Sequence, residues 1–587
     1  MTLFHARIVT ASEAGACRVL GGAIEHKRKN SIMQRKRQWL PILAAVVVLA
    51  LIAAIVNFER TLDGNTSARF TDDARKQSLQ PIHPGIPGEK PFWNPYSKRF
   101  IRPPAFEFKE VPEAMAYRFL VAAETDSQEY VFEATKPWVP LSPIWSSLPN
   151  GRLTLRVDAL TAPGGQKLAT VGNRIFLKSP PFAKVRNEPA FPYEQSGYRS
   201  LKNLLQQPKI QYWRTHSEPD PSYPLWTHAT KIMSAVVVGM VHYAKFFPEE
   251  PDAGEALRVA EIVADFLLAL TEPPGKPLEF WPATYWDGVP RGEHPYFQNE
   301  IMTNSPAIAA EMLLDLYDFT KEKDYFVAAQ NIADTYVKTQ NEAGTWSQIL
   351  STTTGLAIKD HKLVPTMVIE LFDRLIENYA LAKYITCRDK ALDWCMKYPM
   401  ATFNWQAQFE DTRPQKQYKN LSREEPAEFA RILLKRSADH PEYVDMAREL
   451  IRFAEDQFVV WEPTDPVLEY PWFKQNSKWN GTTFPGGFDW FVPCVLEQYK
   501  FYTPVARSSQ LMILAYLDAY QYTNESIYHA KAVALANTLT IAQAYHGGGE
   551  IPTHLRKNLP ESNWINNGVR PAITLIENAA ILTAKPY

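Results

Sequence analysis

Cysteine is scarce, with four in 587 residues. Cys17 lies near the N-terminus and Cys494 stands alone. Cys387 and Cys395 fall in one helical stretch, about 12 Å apart along its axis, too far for a bridge. A disulfide scaffold is therefore excluded. With no CxxC pair and no close-spaced His/Asp/Glu set, the sequence predicts neither a metal nor a cofactor. An excess of charge is also missing: 63 basic residues face 64 acidic ones. That balance argues against a nucleic-acid partner. GGGE at 547–550 is followed by no GK[ST], so it is a tight turn and not a phosphate loop. No repeat of fixed period is present either, which excludes a TPR-like array.

What is abundant is aromatic and proline. There are 46 prolines, 16 tryptophans, 27 tyrosines and 30 phenylalanines. Trp and Tyr pair an apolar face with a polar edge, which suits stacking on a sugar ring and equally suits a core.

Five segments follow along the chain. Residues 1–38 are a leader containing Lys27, Arg28, Lys29, Arg35, Lys36 and Arg37, with Met33 as a possible start. Residues 39–58, WLPILAAVVVLALIAAIVNF, carry no charge and have the length of a bilayer span. The basic flank stays on the cytoplasmic side, so a signal anchor with the remaining chain periplasmic or extracellular is expected. Residues 59–94 are a polar tether. Residues 95–183 alternate with period two, as at Tyr117, Phe119 and Val121 and at Leu153, Leu155 and Val157. Turn signals separate these runs, and a β-sandwich is expected. In layout, PAFEFKEVPEAMAYRFLV and PLSPIWSSLPNGRLTLRVDAL resemble a fibronectin type III domain, a spacer or packing module or else a carbohydrate binder.

From residue 184 to 587 the period changes to that of helices. Paired helices are predicted over 228–246 with 254–270, 306–319 with 325–339, 365–384 with 387–397, 426–436 with 441–457, and 504–522 with 526–543. SLKNLLQQ adds another, and a last helix is placed after Pro571. Ser305-Pro306 and Thr503-Pro504 are read as helix starts. The long segments fall between hairpins, at 271–305, 340–364, 398–425, 458–503 and 544–570, and they are rich in aromatic and polar residues. Long loops of that kind are usually functional. Hairpins closed into a ring bring them to one end, and the fold class expected is mainly α, an (α/α) toroid.

That arrangement resembles the six-hairpin glycosidase superfamily and the polysaccharide lyases and uronyl C5-epimerases built on related toroids. The stretch AGTWSQIL (343–350) is similar to the Gly-x-Trp loops that line their sugar clefts. The resemblance covers residues 190–587 in architecture and carries over no catalytic residue. It implies a polysaccharide or oligosaccharide as partner.

Candidate site residues come from the loops themselves. TYWDGVPRGEHPYFQNE (284–300) supplies Glu300, His294 and Tyr296 for proton transfer and Asn299 for a carboxylate or hydroxyl, with Tyr285 and Trp286 as platforms. FNWQAQFEDTRPQKQYKNLSREEP (403–426) supplies Glu410 and Asp411, with Trp405 and Gln408 beside them. Trp213, Arg214, Trp346, Asp489, Trp490, Asn566 and Arg570 complete the substrate-binding set. A hydrolase needs two carboxylates across the bond. A lyase or epimerase needs a Tyr or His base and an Arg or Asn to neutralise a uronate carboxylate. The loops offer both sets, and the uronate chemistry is the first expectation, with hydrolysis second. A glycan-binding protein without turnover is the third reading.

Overall fold

The computed structural model describes residues 75–82, 93, 96–97, 99–123, 128–288, 299–409, 416–463, 478–479, 482–483, 490–557 and 564–584. The expected leader and anchor lie outside the described residues. Among the described residues, no helix is long and apolar enough to cross a membrane.

Twelve long helices alternate between two concentric rings among the described residues. The outer helices are α1 (Tyr193–Gln206), α3 (Ala253–Ala269), α5 (Lys323–Thr339), α7 (Ile385–Lys397), α9 (Tyr443–Phe458) and α11 (Ser526–Tyr545). The inner ones are α2 (Ala229–Phe246), α4 (Ser305–Thr320), α6 (Thr366–Tyr379), α8 (Glu424–Lys435), α10 (Ala506–Thr523) and α12 (Ile565–Glu577). Each inner helix packs on the next, and α12 packs on both α2 and α1, which closes the ring. This is a six-hairpin (α/α) toroid.

Sequence decides which helices go inside. ATKIMSAVVVGMVHYAKF in α2 is apolar nearly all round, so it has no face to give to solvent, and Ala229, Ile232, Val236, Met240 and Tyr243 are fully buried. By contrast α9 is amphipathic: Leu450, Phe453 and Ala454 face inward while Asp445 and Arg448 face out. Three inner helices end on a left-handed residue, Lys321, Ala380 and Asn524, which turns the chain back after a short connection. All the short turns therefore lie at one end of the ring. All the long segments, and the N-termini of the inner helices, lie at the other.

Two boundaries differ from expectation. The last helix begins at Ile565, and Pro571 sits inside it. Helix α10 begins at Ala506, because Pro504 is still paired in an extended bridge with Leu496.

The segment before the ring forms one five-stranded sheet: β1 (Arg99–Phe100), β2 (Ala116–Ala123), β3 (Glu129–Ala134), β4 (Gly151–Leu160) and β5 (Lys167–Lys178), in the order β1-β5-β4-β2-β3. The alternation was sound, since Phe119 pairs with Val157 and Val121 with Leu155, all buried. The expected sandwich is corrected among the described residues: no second sheet faces this one. Its apolar face, where Phe100 of β1 meets Phe176 of β5 at 5.9 Å, is covered by Phe106 and Trp145, which pack on Phe176 at 5.6 and 6.2 Å. The toroid lies behind them. Trp93 stacks on Phe453 of α9 at 5.8 Å, and Asp456 accepts the backbone N–H of Ile101 and of Arg102, each at 2.7 Å. Glu455 meets Arg102 at 3.1 Å and Lys531 at 2.9 Å, all three nearly inaccessible to solvent. Burial opposes the charge on Glu455, but Lys531 and Arg102 outweigh it and hold its carboxyl down at about 2.

Candidate functional site

The axis of the inner ring is hollow. A cavity of about 590 Å³ is lined by residues from all six inner helices and from the segments above them. That volume falls within the range of small-ligand sites, about 300–1,000 Å³. At the level of the helix starts it is bordered by His228 and Lys231 of the α2 end, Asn304, Thr366, Gln408, Arg423, Glu424, Arg507, Asn566 and Asn567. One turn further in come Glu311, Glu370, Glu428, Gln510 and Arg570.

Helix α8 carries the densest chemistry. In its sequence EEPAEFARILLK, Glu424, Glu428, Arg431 and Lys435 recur on one face, which lines the cavity, while Phe429, Ile432 and Leu433 are buried away from it; Glu425, in the first turn, also borders the cavity. The environments of these glutamates differ. Burial raises the Glu425 carboxyl, with Glu424 adding to it, to about 8. Its oxygens accept from the Ser422 hydroxyl at 2.6 Å and the Gln408 N–H at 3.2 Å. Glu428 is pushed well above the carboxylate range by burial and by its neighbours Glu424 and Glu370. The Thr366 hydroxyl donates to it at 2.7 Å. Glu424 is the counter-charge of Arg423, at 3.3 Å, and lies 4.0 Å from Arg507. Arg507 is held down at about 10, first by burial and then by Arg570 and Arg423 acting against Glu424. The trio thus contains carboxyls that hold a proton beside one that balances a guanidinium, which is the condition for acid and base roles in one site.

Deeper in, the lining charges are paired with one another. Arg374 bonds Glu311 at 2.6 Å and Asp315 at 2.9 Å, tying α6 to α4. Arg431 meets Asp518 at 2.8 Å and Glu370 at 4.0 Å, tying α8 to α10 and α6. These pairs stitch the ring, and the 4.0 Å contact of Glu370 is the loosest of them, so its carboxylate still borders the cavity. Among the described residues, no group of three or more His, Cys, Asp or Glu side chains is arranged to hold a metal ion.

Of the residues singled out from sequence, Asn566 and Arg570 line this cavity, and so does Gln408. Tyr285 stands next to it, its ring 5.9 Å from that of His228 and its hydroxyl 3.8 Å from the Met302 sulfur. Several others do not reach it and are corrected here. Trp346 is buried and its indole N–H donates to the Tyr336 carbonyl at 3.1 Å. The glycine of that loop is needed for a close approach: Gly344 has φ +95°, and a Cβ there would stand 2.4 Å from the Lys390 carbonyl. The Gly-x-Trp stretch is thus a core anchor and not a cleft wall. Trp405 is likewise buried against Phe429 at 5.8 Å, and Trp213 against Trp226 at 5.7 Å. Trp286 packs on Phe266 at 5.3 Å. Trp490 is buried in a bridge with Arg556. Arg214 is exposed and paired with Glu255. Glu300 sits at the outer end of β6 (Glu300–Met302), while Met302 is the residue of that strand that lines the cavity. Asn299, exposed at φ +62°, precedes it. His294, Tyr296, Glu410, Asp411 and Asp489 lie outside the described residues.

Missed from sequence were Glu424, Glu425, Glu428, Arg423 and Arg507. The available signal was a polar stripe on apolar helices, at 424, 428, 431 and 435 and again at 370, 374 and 377, the spacing of one helix face.

No family model matches the chain. No curated protein matches its sequence. Solved structures do. A family 76 glycoside hydrolase from a bovine Bacteroides thetaiotaomicron strain is 9% identical, with a TM-score of 0.43 over 79% of this chain and 93% of that one. Cellobiose 2-epimerase from Spirochaeta thermophila is 12% identical, with a TM-score of 0.45 over 66% of this chain and 98% of that one. An unsaturated glucuronyl hydrolase specific for heparin is 9% identical, with a TM-score of 0.40 over 67% of this chain and 98% of that one. No residue role is carried across at this distance.

Proposed function

We propose that this chain is a carbohydrate-active enzyme that takes a saccharide into the axial cavity and cleaves a glycosidic bond by acid catalysis from Glu428. The observation that carries the reading is a proton-holding glutamate facing the cavity with a second carboxylate, Glu370, presented by the neighbouring helix. Glu428 donates its proton to the departing glycosidic oxygen. Glu370 views the cavity from another direction, as a base on water or a nucleophile must. Asn304, Gln408, Asn566 and Asn567 at the mouth supply amides for sugar hydroxyls.

A second reading follows from a separate observation. His228, Lys231 and the guanidiniums of Arg423, Arg507 and Arg570 lie in the same cavity. Those groups suit a uronate, where a base removes the proton next to the carboxylate in β-elimination or C5 epimerisation. Incubating the protein with a panel of neutral and uronate-containing glycans separates the readings. New reducing ends without the ultraviolet absorbance of an unsaturated uronate support hydrolysis, and that absorbance supports elimination. Solvent-proton exchange without cleavage supports epimerisation, and binding without any turnover refutes the enzyme.

The proposal also keeps residues 39–58 as a membrane anchor with the toroid on the outer side. Protease accessibility of the toroid in intact cells tests it, and a toroid protected until lysis would refute it.

A further inference from the structure

Positive charge at the mouth of the cavity and one turn inside it is not used up by the protein. Arg570 makes no hydrogen bond and no ion pair among the described residues, although it lines the cavity. A guanidinium carries five N–H donors, so all of them are open to a ligand. Arg507 bonds the Gln510 side chain and stands 4.0 Å from Glu424, which leaves most of its fork unused. Behind them Arg423 is about 1% exposed at its side chain, and its Nε has no partner. Lys231, its ammonium engaged 4.7 Å from the Trp564 ring, also borders the cavity. The Oδ1 atom of Asn566 is buried and also without a partner.

The opposing charge is small. Glu424 answers Arg423 and Arg507, Glu497 borders the mouth, and one turn further in Glu311 and Glu370 are turned to Arg374 and Arg431. Glu425 and Glu428 both hold their protons more strongly than an ordinary glutamate, which weakens them as counter-charges. The mutual repulsion registers at Arg507, which Arg570 and Arg423 push in the same direction as burial does. Burying like charges without counter-ions is costly, and an incoming anion relieves the cost.

Resting on the carbohydrate reading above, we infer that the wall formed by the first turns of α10 and α12 is an anion subsite, in which Arg507 and Arg570 clamp a negatively charged substituent of the saccharide. A planar carboxylate fits a guanidinium fork through two parallel hydrogen bonds, so a uronate is the substituent the geometry favours; a sulfate ester shares the charge without the planarity. Specificity then comes from this clamp and not from the carboxyls that move protons, because a site built for an anion leaves its cations unpaired when a neutral sugar enters.

The test is equilibrium binding by calorimetry, on the full protein, with three size-matched oligosaccharides: neutral, uronate-containing and sulfated. The expected result is that the uronate binds at least ten times more tightly than the neutral sugar and that the preference shrinks with added salt. Arg570→Gln, at a residue with no structural bond to lose, should cut uronate affinity at least tenfold and change neutral affinity less than threefold. A sulfated sugar binding as tightly as the uronate supports the clamp and assigns it to sulfate esters as well. Equal loss for neutral and anionic sugars in Arg570→Gln, or a wild-type preference for the neutral one, overturns it. Because binding is read and not turnover, a selective but inactive protein would refute the enzyme while leaving the subsite standing.

Discussion

Replacing Glu428 by glutamine separates chemistry from stability in a way few substitutions do. Glutamine keeps the shape and an acceptor for the Thr366 hydroxyl, now 2.7 Å away. It removes the proton that the account assigns to the leaving oxygen. Loss of a general acid costs about 10²- to 10⁴-fold in rate, which is about 3–5 kcal/mol of barrier. The effect on folding has the opposite sign. Glu428 is held well above its ordinary value of 4.5, so the folded protein keeps a proton that the unfolded chain releases. Stability from such a group is full below the unfolded value and is lost as pH rises toward the folded one, at about 1.4 kcal/mol per pH unit. The glutamine variant lacks that slope. At neutral pH it should therefore be more stable than wild type, by a margin that widens as pH rises above the ordinary carboxylate range. Initial rates on whichever glycan is turned over, together with guanidinium unfolding at about pH 5.5 and pH 7.5, measure both effects. A variant with near wild-type activity would refute the acid assignment. One with the wild-type pH slope would refute the burial argument.

Three further outcomes follow. Glu424→Gln should behave in the contrary manner, losing about 3–5 kcal/mol, because Arg423 is left as a buried unpaired cation; chemical denaturation checks this. Glu455→Gln should loosen the sheet from the ring by a similar amount at neutral pH, since two buried cations lose their counter-charge. Glu455 is held below its unfolded value, so its contribution is complete above about pH 4.5 and disappears as pH falls toward about 2; wild type and variant should converge there in thermal unfolding. Ala380→Gly should stabilise the protein by about 0.5–1 kcal/mol, because Ala380 ends α6 at φ +58° on the surface, where a Cβ is strained; an unchanged melting temperature would contradict that.

The ring was legible because hairpins write themselves in a 3.6-residue period, and nearly every predicted pair is present within a few residues. The closure by the SLKNLLQQ helix against α12 was not, since only tertiary packing joins the first hairpin partner to the last. Aromatic loops misled in a specific way. A long loop has to be fastened to the helices beneath it, and Trp346, Trp405 and Trp213 are the fasteners, so they are core and not sugar platforms. The charged residues of the cavity were hidden for the converse reason. Glu424, Glu428 and Arg507 sit within helices, where a charge is ordinarily a solvated face. In a toroid the inside of the inner ring is also wet, and a polar stripe there marks the site. Asn566 and Arg570 were found from a stretch read as loop. They line the cavity because that stretch is the first turn and a half of α12, which presents positions four apart on one face.

The most direct test of the central claim is a crystal structure of the Glu428→Gln protein with a bound oligosaccharide. The expected density is a sugar ring inside the axial cavity, its acidic group on Arg507 and Arg570 and a glycosidic oxygen within hydrogen-bond reach of residue 428. A saccharide bound elsewhere on the molecule, with the cavity holding only solvent, would contradict it.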